Sequence, residues 1–123
     1  ISVGIVSYSP HKKNANIGKS HENGKIKSEG HYSKNVKVLY WKYYNENGKL
    51  VEEGSYLNGI KDGYWKYYND NGTPNTEGIY VKNKKNDWWT CYKDDYVIKT
   101  QYRDDIQHGY KAFYINDKCV KVE

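Results

Sequence analysis

The chain has 123 residues, enough for one domain, and its 20 Lys and Arg against 15 Asp and Glu leave a net charge of +5. A mean hydropathy of −1.09 and the lack of any run near the roughly 18 apolar residues of a membrane span exclude a transmembrane helix, and two cysteines exclude a disulfide framework. Fifteen Tyr and four Trp argue against disorder, but a single Phe argues against a thick oily core; the rings present are those that bury a body and keep a polar tip wet.

Residues 1–10, ISVGIVSYSP, alternate as an extra strand that ends at Pro10 and caps one end of a sheet. Residues 11–20, HKKNANIGKS, read as a loop. The chain starts at Ile1 and holds no Met, so its natural N-terminus is expected to have been removed, with any signal peptide it carried.

From residue 21 the sequence repeats. HENGKIKSEGHYSKNVKVLYWKYY (21–44), NENGKLVEEGSYLNGIKDGYWKYY (45–68), NDNGTPNTEGIYVKNKKNDWWTCY (69–92) and KDDYVIKTQYRDDIQHGYKAFY (93–114) align, and INDKCVKVE (115–123) begins a fifth block. Each block opens with Asn23-Gly24, Asn47-Gly48 or Asn71-Gly72, a hairpin signal because both residues accept positive φ. A strand such as 49–57 follows, then a second turn, 58–63 or 107–109 in the last block, then a second strand such as 64–68. Frequent glycines and strand-prone rings leave no helix to defend. The expected fold is all-β: a single-layer antiparallel meander of repeated β-hairpins, with about nine strands. One domain covers 1–123, with cap strand and loop at 1–20, four repeats at 21–114 and a partial fifth at 115–123.

The repeats define columns. Gly30, Gly54 and Gly78 sit two residues before Tyr32, Tyr56 and Tyr80, on one face. A bare glycine there lets a large ring from a neighbouring strand lie across the backbone. Trp41, Trp65 and Trp89 share a face with Tyr43, Tyr67 and Cys91, while Tyr40, Tyr64 and Trp88 share the other with Tyr44, Tyr68 and Tyr92. Alternation does not say which face is better buried.

Little in the chain reads as catalysis. His11, His21, His31 and His108 lack metal-ligand spacing to each other or to a Cys. The pairs Glu52-Glu53, Asp94-Asp95 and Asp104-Asp105 either point to opposite faces of a strand or fall in turns. Glu29, Glu53 and Glu77 recur once per block, as do Lys42 and Lys66, which predicts a cross-strand Glu–Lys ladder. Cys91 and Cys119 are expected to be packed, free thiols, about 14 Å apart across two intervening strands. The glycines spell no phosphate loop. No cofactor or metal is expected.

The blocks resemble the MORN-repeat family in its bacterial variant. The second carries the pattern most fully, in Asn47-Gly48, Glu53-Gly54-Ser55-Tyr56, Asn58-Gly59, Gly63-Tyr64-Trp65 and Tyr68. The first has Asn35 and Leu39 at its central glycines, the third has Asp87, and the fourth has Lys111 in place of Trp. The resemblance implies a non-enzymatic protein-interaction module. It points to a bacterial immunity or antitoxin protein that blocks a cognate toxin domain, with the bacterial cytoplasm the favoured compartment. It carries over no catalytic residue. Exposed Trp and Tyr are typical binding hot spots, so Trp41, Tyr43, Trp65, Tyr67 and Trp89, with Lys42 and Lys66, are the expected partner contacts. The second reading is a membrane-associated scaffold. Residues 1–61 hold 10 Lys against 5 Glu, whereas residues 62–123 balance, so an anionic lipid surface would meet the N-terminal half. A nucleic acid on Lys34, Lys37, Lys42, Trp41 and Tyr43 is disfavoured, because the glycine columns claim those rings for packing.

Overall fold

Runs of β-branched and aromatic residues this short, punctuated by turn residues, can pair only with their neighbours in sequence. The computed structural model describes residues 3–5 and 16–123 and shows that arrangement. Eleven strands form one sheet in chain order: β1 (Val3–Ile5), β2 (Asn16–Ser20), β3 (Ile26–Ser33), β4 (Val36–Tyr44), β5 (Leu50–Leu57), β6 (Ile60–Tyr68), β7 (Pro74–Val81), β8 (Lys84–Tyr92), β9 (Val97–Arg103), β10 (Ile106–Ile115) and β11 (Lys118–Val122). Every pairing is antiparallel. The all-β meander is therefore as expected, with more strands. Val3–Ile5 form a strand at one end of the sheet within the expected cap strand, residues 16–20 are a strand where a loop was expected, and residues 1–2 and 6–15 lie outside the described residues.

The two turns of each repeat differ from expectation. At Asn47-Gly48 only the glycine has positive φ, at 83°. The Gly48 amide donates to the Asn45 carbonyl at 3.0 Å, and the Asn45 amide to the Lys49 carbonyl at 2.9 Å. That is a type I turn closed by a left-handed glycine, not a two-residue turn. The two-residue turns with both φ values positive are Lys34-Asn35, Asn58-Gly59, Lys82-Asn83, Asp104-Asp105 and Asn116-Asp117. The second turn is thus shorter than 58–63, and in the last block it falls at 104–105 rather than 107–109.

Gly63 belongs instead to strand β6, where its φ of 101° marks a bulge. The equivalent residues keep the left-handed backbone even without glycine: Leu39 at φ 60° and Asp87 at φ 62°, with Gly109 at 104°. The ladder to the preceding strand is irregular beside each of them. The bulge is set by the fold, and the residue there tolerates it.

The core is a file of indoles one ring thick. Trp41, Trp65 and Trp89 are 1%, 0% and 3% exposed. Each lies flat on the glycine of the preceding strand: a Cβ built on Gly30, Gly54 or Gly78 would sit 2.2, 2.1 or 2.2 Å from the Trp41, Trp65 or Trp89 ring. The indole N–H groups donate to the carbonyls of His31 (3.0 Å), Ser55 (2.9 Å) and Ile79 (3.0 Å), beside the bulges that interrupt the ladder there. In the fourth repeat Lys111 replaces the Trp, and its cross-strand partner Thr100 replaces the glycine. With no ring to receive, the backbone can carry a side chain.

Two substitutions separate these roles. Gly54→Ala forces a methyl into the Trp65 ring and should cost about 3 kcal/mol, read as a lower urea midpoint with an unchanged m-value. Leu39→Gly removes an exposed side chain from a left-handed residue and should stabilise by about 1 kcal/mol, read as a higher thermal midpoint.

Candidate functional site

Period-two alternation gives the sheet two unlike faces. On the first, each buried indole is roofed by its neighbours. Trp65 meets Tyr56 edge-on at 5.1 Å between centroids, Tyr80 edge-on at 6.3 Å, and stacks on Tyr67 at 6.3 Å. Trp41 has the same company in Tyr32, Tyr43 and Tyr56. A lysine closes each roof: Lys37, Lys61 and Lys85 hold their Nζ 4.9, 4.4 and 4.9 Å from the Trp41, Trp65 and Trp89 centroids. Lys37 and Lys61 also donate to the Tyr43 and Tyr67 hydroxyls at 2.7 Å. Burial, with repulsion from Lys19 and Lys61, lowers the Lys37 pKa despite the nearby Glu52. Tyr43 and Tyr56 share a hydrogen bond at 2.7 Å, as do Tyr67 and Tyr80 at 3.0 Å. The third repeat lacks this link because Cys91 stands in the tyrosine's place. Cys91 is a half-buried free thiol, whereas Cys119, expected to be packed, is exposed.

The seven residues expected to meet a partner are not brought together. Trp41, Trp65 and Trp89 are core, so the folded ribbon cannot offer them as contacts. Tyr43 and Tyr67 are half-buried in the roof. Lys42 and Lys66 are exposed, but on the opposite face. The Trp column had to be one face or the other, and its glycine partners were the sign that it was the inner one.

The second face carries the rings left in solvent. Tyr40, Tyr64, Trp88 and Tyr110 are 45%, 47%, 40% and 62% exposed and form one row across β4, β6, β8 and β10. Beside them run Leu57, Ile60, Val81 and Ile106, also exposed. The next row holds the glutamates, and the expected Glu–Lys ladder takes another form there. Lys42 lies opposite Glu29 and Glu53, and Lys66 opposite Glu53 and Glu77. The carboxylates, however, accept from tyrosines: Glu53 from Tyr40 (2.8 Å) and Tyr68, Glu77 from Tyr64 and Tyr92, Glu29 from Tyr44 (2.7 Å). Neither Lys42 nor Lys66 forms an ion pair among the described residues. In the third and fourth repeats Thr90 and Ala112 replace these lysines. A shallow depression of 460 Å³ opens there, walled by Tyr64, Trp88 and Tyr114 over Ile79, Thr90 and Lys99. No group of three potential metal ligands exists among the described residues, and no helix is long and apolar enough to cross a membrane.

A single-layer ribbon of β-hairpin repeats, each resting an indole on its neighbour's backbone, is the class defined by this geometry. Residues 19–34, 37–58 and 61–82 match the family model described as the MORN repeat variant. Such repeats are non-enzymatic modules that mediate contacts with proteins or membrane lipids. No curated protein matches the chain significantly.

The clamps make stability depend on pH at both ends. Burial, reinforced by carboxylate hydrogen bonds, pushes Tyr40, Tyr44 and Tyr92 up to about 12. The folded chain then keeps protons that the unfolded chain releases near 10. Stability should therefore fall as pH rises from about 10 and lose this contribution by about 12. Burial alone would raise the Glu77 carboxyl, but hydrogen bonds from Tyr64 and Tyr92 and the charges of Lys66 and Lys99 outweigh it and hold the group below its ordinary 4.5. That contribution is present above pH 4.5 and is lost as pH falls through the depressed value. Urea midpoints measured across pH should show both limbs, and Tyr64→Phe with Tyr92→Phe should flatten the acid one.

Proposed function

We propose that this chain is a non-enzymatic protein-interaction module that binds its partner across the open face. What supports this is the division of labour between the faces. The Trp41, Trp65 and Trp89 rings are consumed by the core, whereas Tyr40, Tyr64, Trp88 and Tyr110 keep two-fifths or more of their surface in solvent, with none of the described elements over them. A row of half-exposed rings bordered by exposed lysines is the composition of a protein-binding surface. The partner, on this reading, is a toxin domain, and the chain is an immunity protein that neutralises it by covering its active site. The excess of lysine in the N-terminal half favours a toxin that is not a nuclease, because a nuclease inhibitor gains from acidic mimicry of the substrate.

The test is co-expression with the protein encoded by the adjacent reading frame, followed by titration calorimetry of the purified pair. Tyr64→Ala combined with Trp88→Ala should weaken binding by more than tenfold while the circular dichroism spectrum is kept. Trp65→Ala should instead unfold the chain. A complex indifferent to Tyr64 and Trp88 would place the contact elsewhere. Sedimentation with anionic vesicles that is lost in high salt, without any protein complex, would replace this reading by the lipid scaffold.

A further inference from the structure

We propose that the open face reads an acidic, proline-rich segment in the polyproline II conformation, laid across the strands along the ring row; this rests on the protein-binding reading above and names the partner's chemistry. The first observation is a match of periods. Tyr40, Tyr64, Trp88 and Tyr110 lie on alternate strands of one sheet, so neighbouring rings recur at about 9.6 Å. A polyproline II helix brings every third residue back to the same side after about 9.3 Å. The two repeats drift by only about 1 Å over the whole row. An extended strand repeats its face at about 6.7 Å and falls out of step at the second ring. An α-helix realigns after two turns, at about 10.8 Å, and drifts about four times faster than polyproline II.

The second observation is that the intervals between rings are suited to proline. Ser55 lies opposite Tyr40, and Ile79 opposite Tyr64, on the intervening strands. The floor of these two intervals is therefore small or apolar, and between Tyr64 and Trp88 it is already concave, whereas Gln101 lies opposite Trp88 in the third. Proline has no N–H to satisfy and loses little freedom on docking between aromatic walls.

The third observation is charge. Lys42 and Lys66 follow Tyr40 and Tyr64 by two residues on the same face, so they repeat with the same period as the rings. Because the tyrosines hold the glutamates, both ammonium groups are exposed and lack ion pairs among the described residues. A ligand that sets a proline on each of the first two ring intervals presents its next column of side chains toward this row, and a carboxylate there meets Lys42 and Lys66 before Thr90 and Ala112 end the lysines. Sheet twist turns successive rings by roughly 45°, so a straight ligand spans two intervals, which is about seven residues.

Fluorescence anisotropy on the whole chain tests this with a labelled Pro-Pro-Glu repeat of about nine residues. Controls of equal length are Gly-Gly-Glu, Pro-Pro-Lys and an acidic amphipathic helix. The expected result is binding of Pro-Pro-Glu at least about tenfold tighter than any control. Tyr64→Ala and Trp88→Ala should each lose it, Tyr64→Phe should retain it, and Lys42→Gln with Lys66→Gln should abolish its salt dependence. Equal binding of Gly-Gly-Glu, preference for the helix, or indifference to Tyr64→Ala with the thermal midpoint maintained would each overturn the proposal. The two readings fail separately. If Tyr64→Ala disrupts the complex with the adjacent-frame protein while no Pro-Pro-Glu binding occurs, the open face stands and the polyproline occupant falls. If neither the complex nor the peptide responds to Tyr64→Ala, both fall.

Discussion

An indole lying on bare backbone is the constraint from which the rest of this structure follows. A one-layer sheet has no second layer to bury its side chains against. The solution is to turn the largest side chain parallel to the sheet, rest it on a glycine, and cover it with the rings of the next repeat. Each Trp removes about 200 Å² from water, an upper estimate of roughly 5 kcal/mol. Laying the ring down has two local costs, a missing side chain and an interrupted ladder, and the arrangement settles both. Glycine supplies the empty surface, and the carbonyl beside the bulge accepts the indole N–H. The fourth repeat bears this out, because Trp and Gly are lost together at Lys111 and Thr100.

Spending one face on the core decides what the other can do. The roof tyrosines hydrogen-bond one another, and the roof lysines sit on rings, so the first face has few groups left to offer a ligand. The second face gains in two ways. Glu53 and Glu77 draw hydrogen bonds from tyrosines on both neighbouring strands, which pins those rings in place, and the cross-strand Lys42 and Lys66 form no ion pair among the described residues. A rigid aromatic row beside free positive charge is thus a by-product of how the sheet is braced.

Much of the fold was legible because a 24-residue period exposes columns. That a large ring crosses Gly30, Gly54 and Gly78 could be read from their spacing to Tyr32, Tyr56 and Tyr80, but not which ring it is. The bulges were not legible. Leu39 and Asp87 give no sign of a left-handed backbone, and only their alignment with Gly63 and Gly109 could have shown it. The turn types were misread because Asn-Gly suits both a two-residue turn and the end of a longer one; the choice depends on which strand residues pair outside it. The placing of the buried Trp column among the expected contacts has a related cause. Trp is both the commonest hot spot and the best core residue for a thin sheet, and residue type alone does not separate the roles. The glycine facing each indole does, because a ring that rests on backbone is not available to a partner. The lysine caps escaped notice because Lys37, Lys61 and Lys85 look like surface charges until their tertiary neighbours are known.

A surface built by translation has a difficulty of its own: a repeated face offers a repeated ligand several equivalent registers. This chain breaks the equivalence on the open face. Thr90 and Ala112 shorten the lysine row, Lys99 stands in the column of Glu29, Glu53 and Glu77, and Trp88 is the one indole among tyrosines. These departures lie near the depression between Tyr64 and Tyr114. Meanwhile the Gly–Trp contacts beneath β4 to β8 stay uniform. Variation on the open face leaves the Gly–Trp contacts untouched until the fourth repeat, and it gives that face a unique position. A ligand that spans two repeats then has one register in which its contacts differ from all others, and a periodic scaffold acquires a directed site without leaving its period.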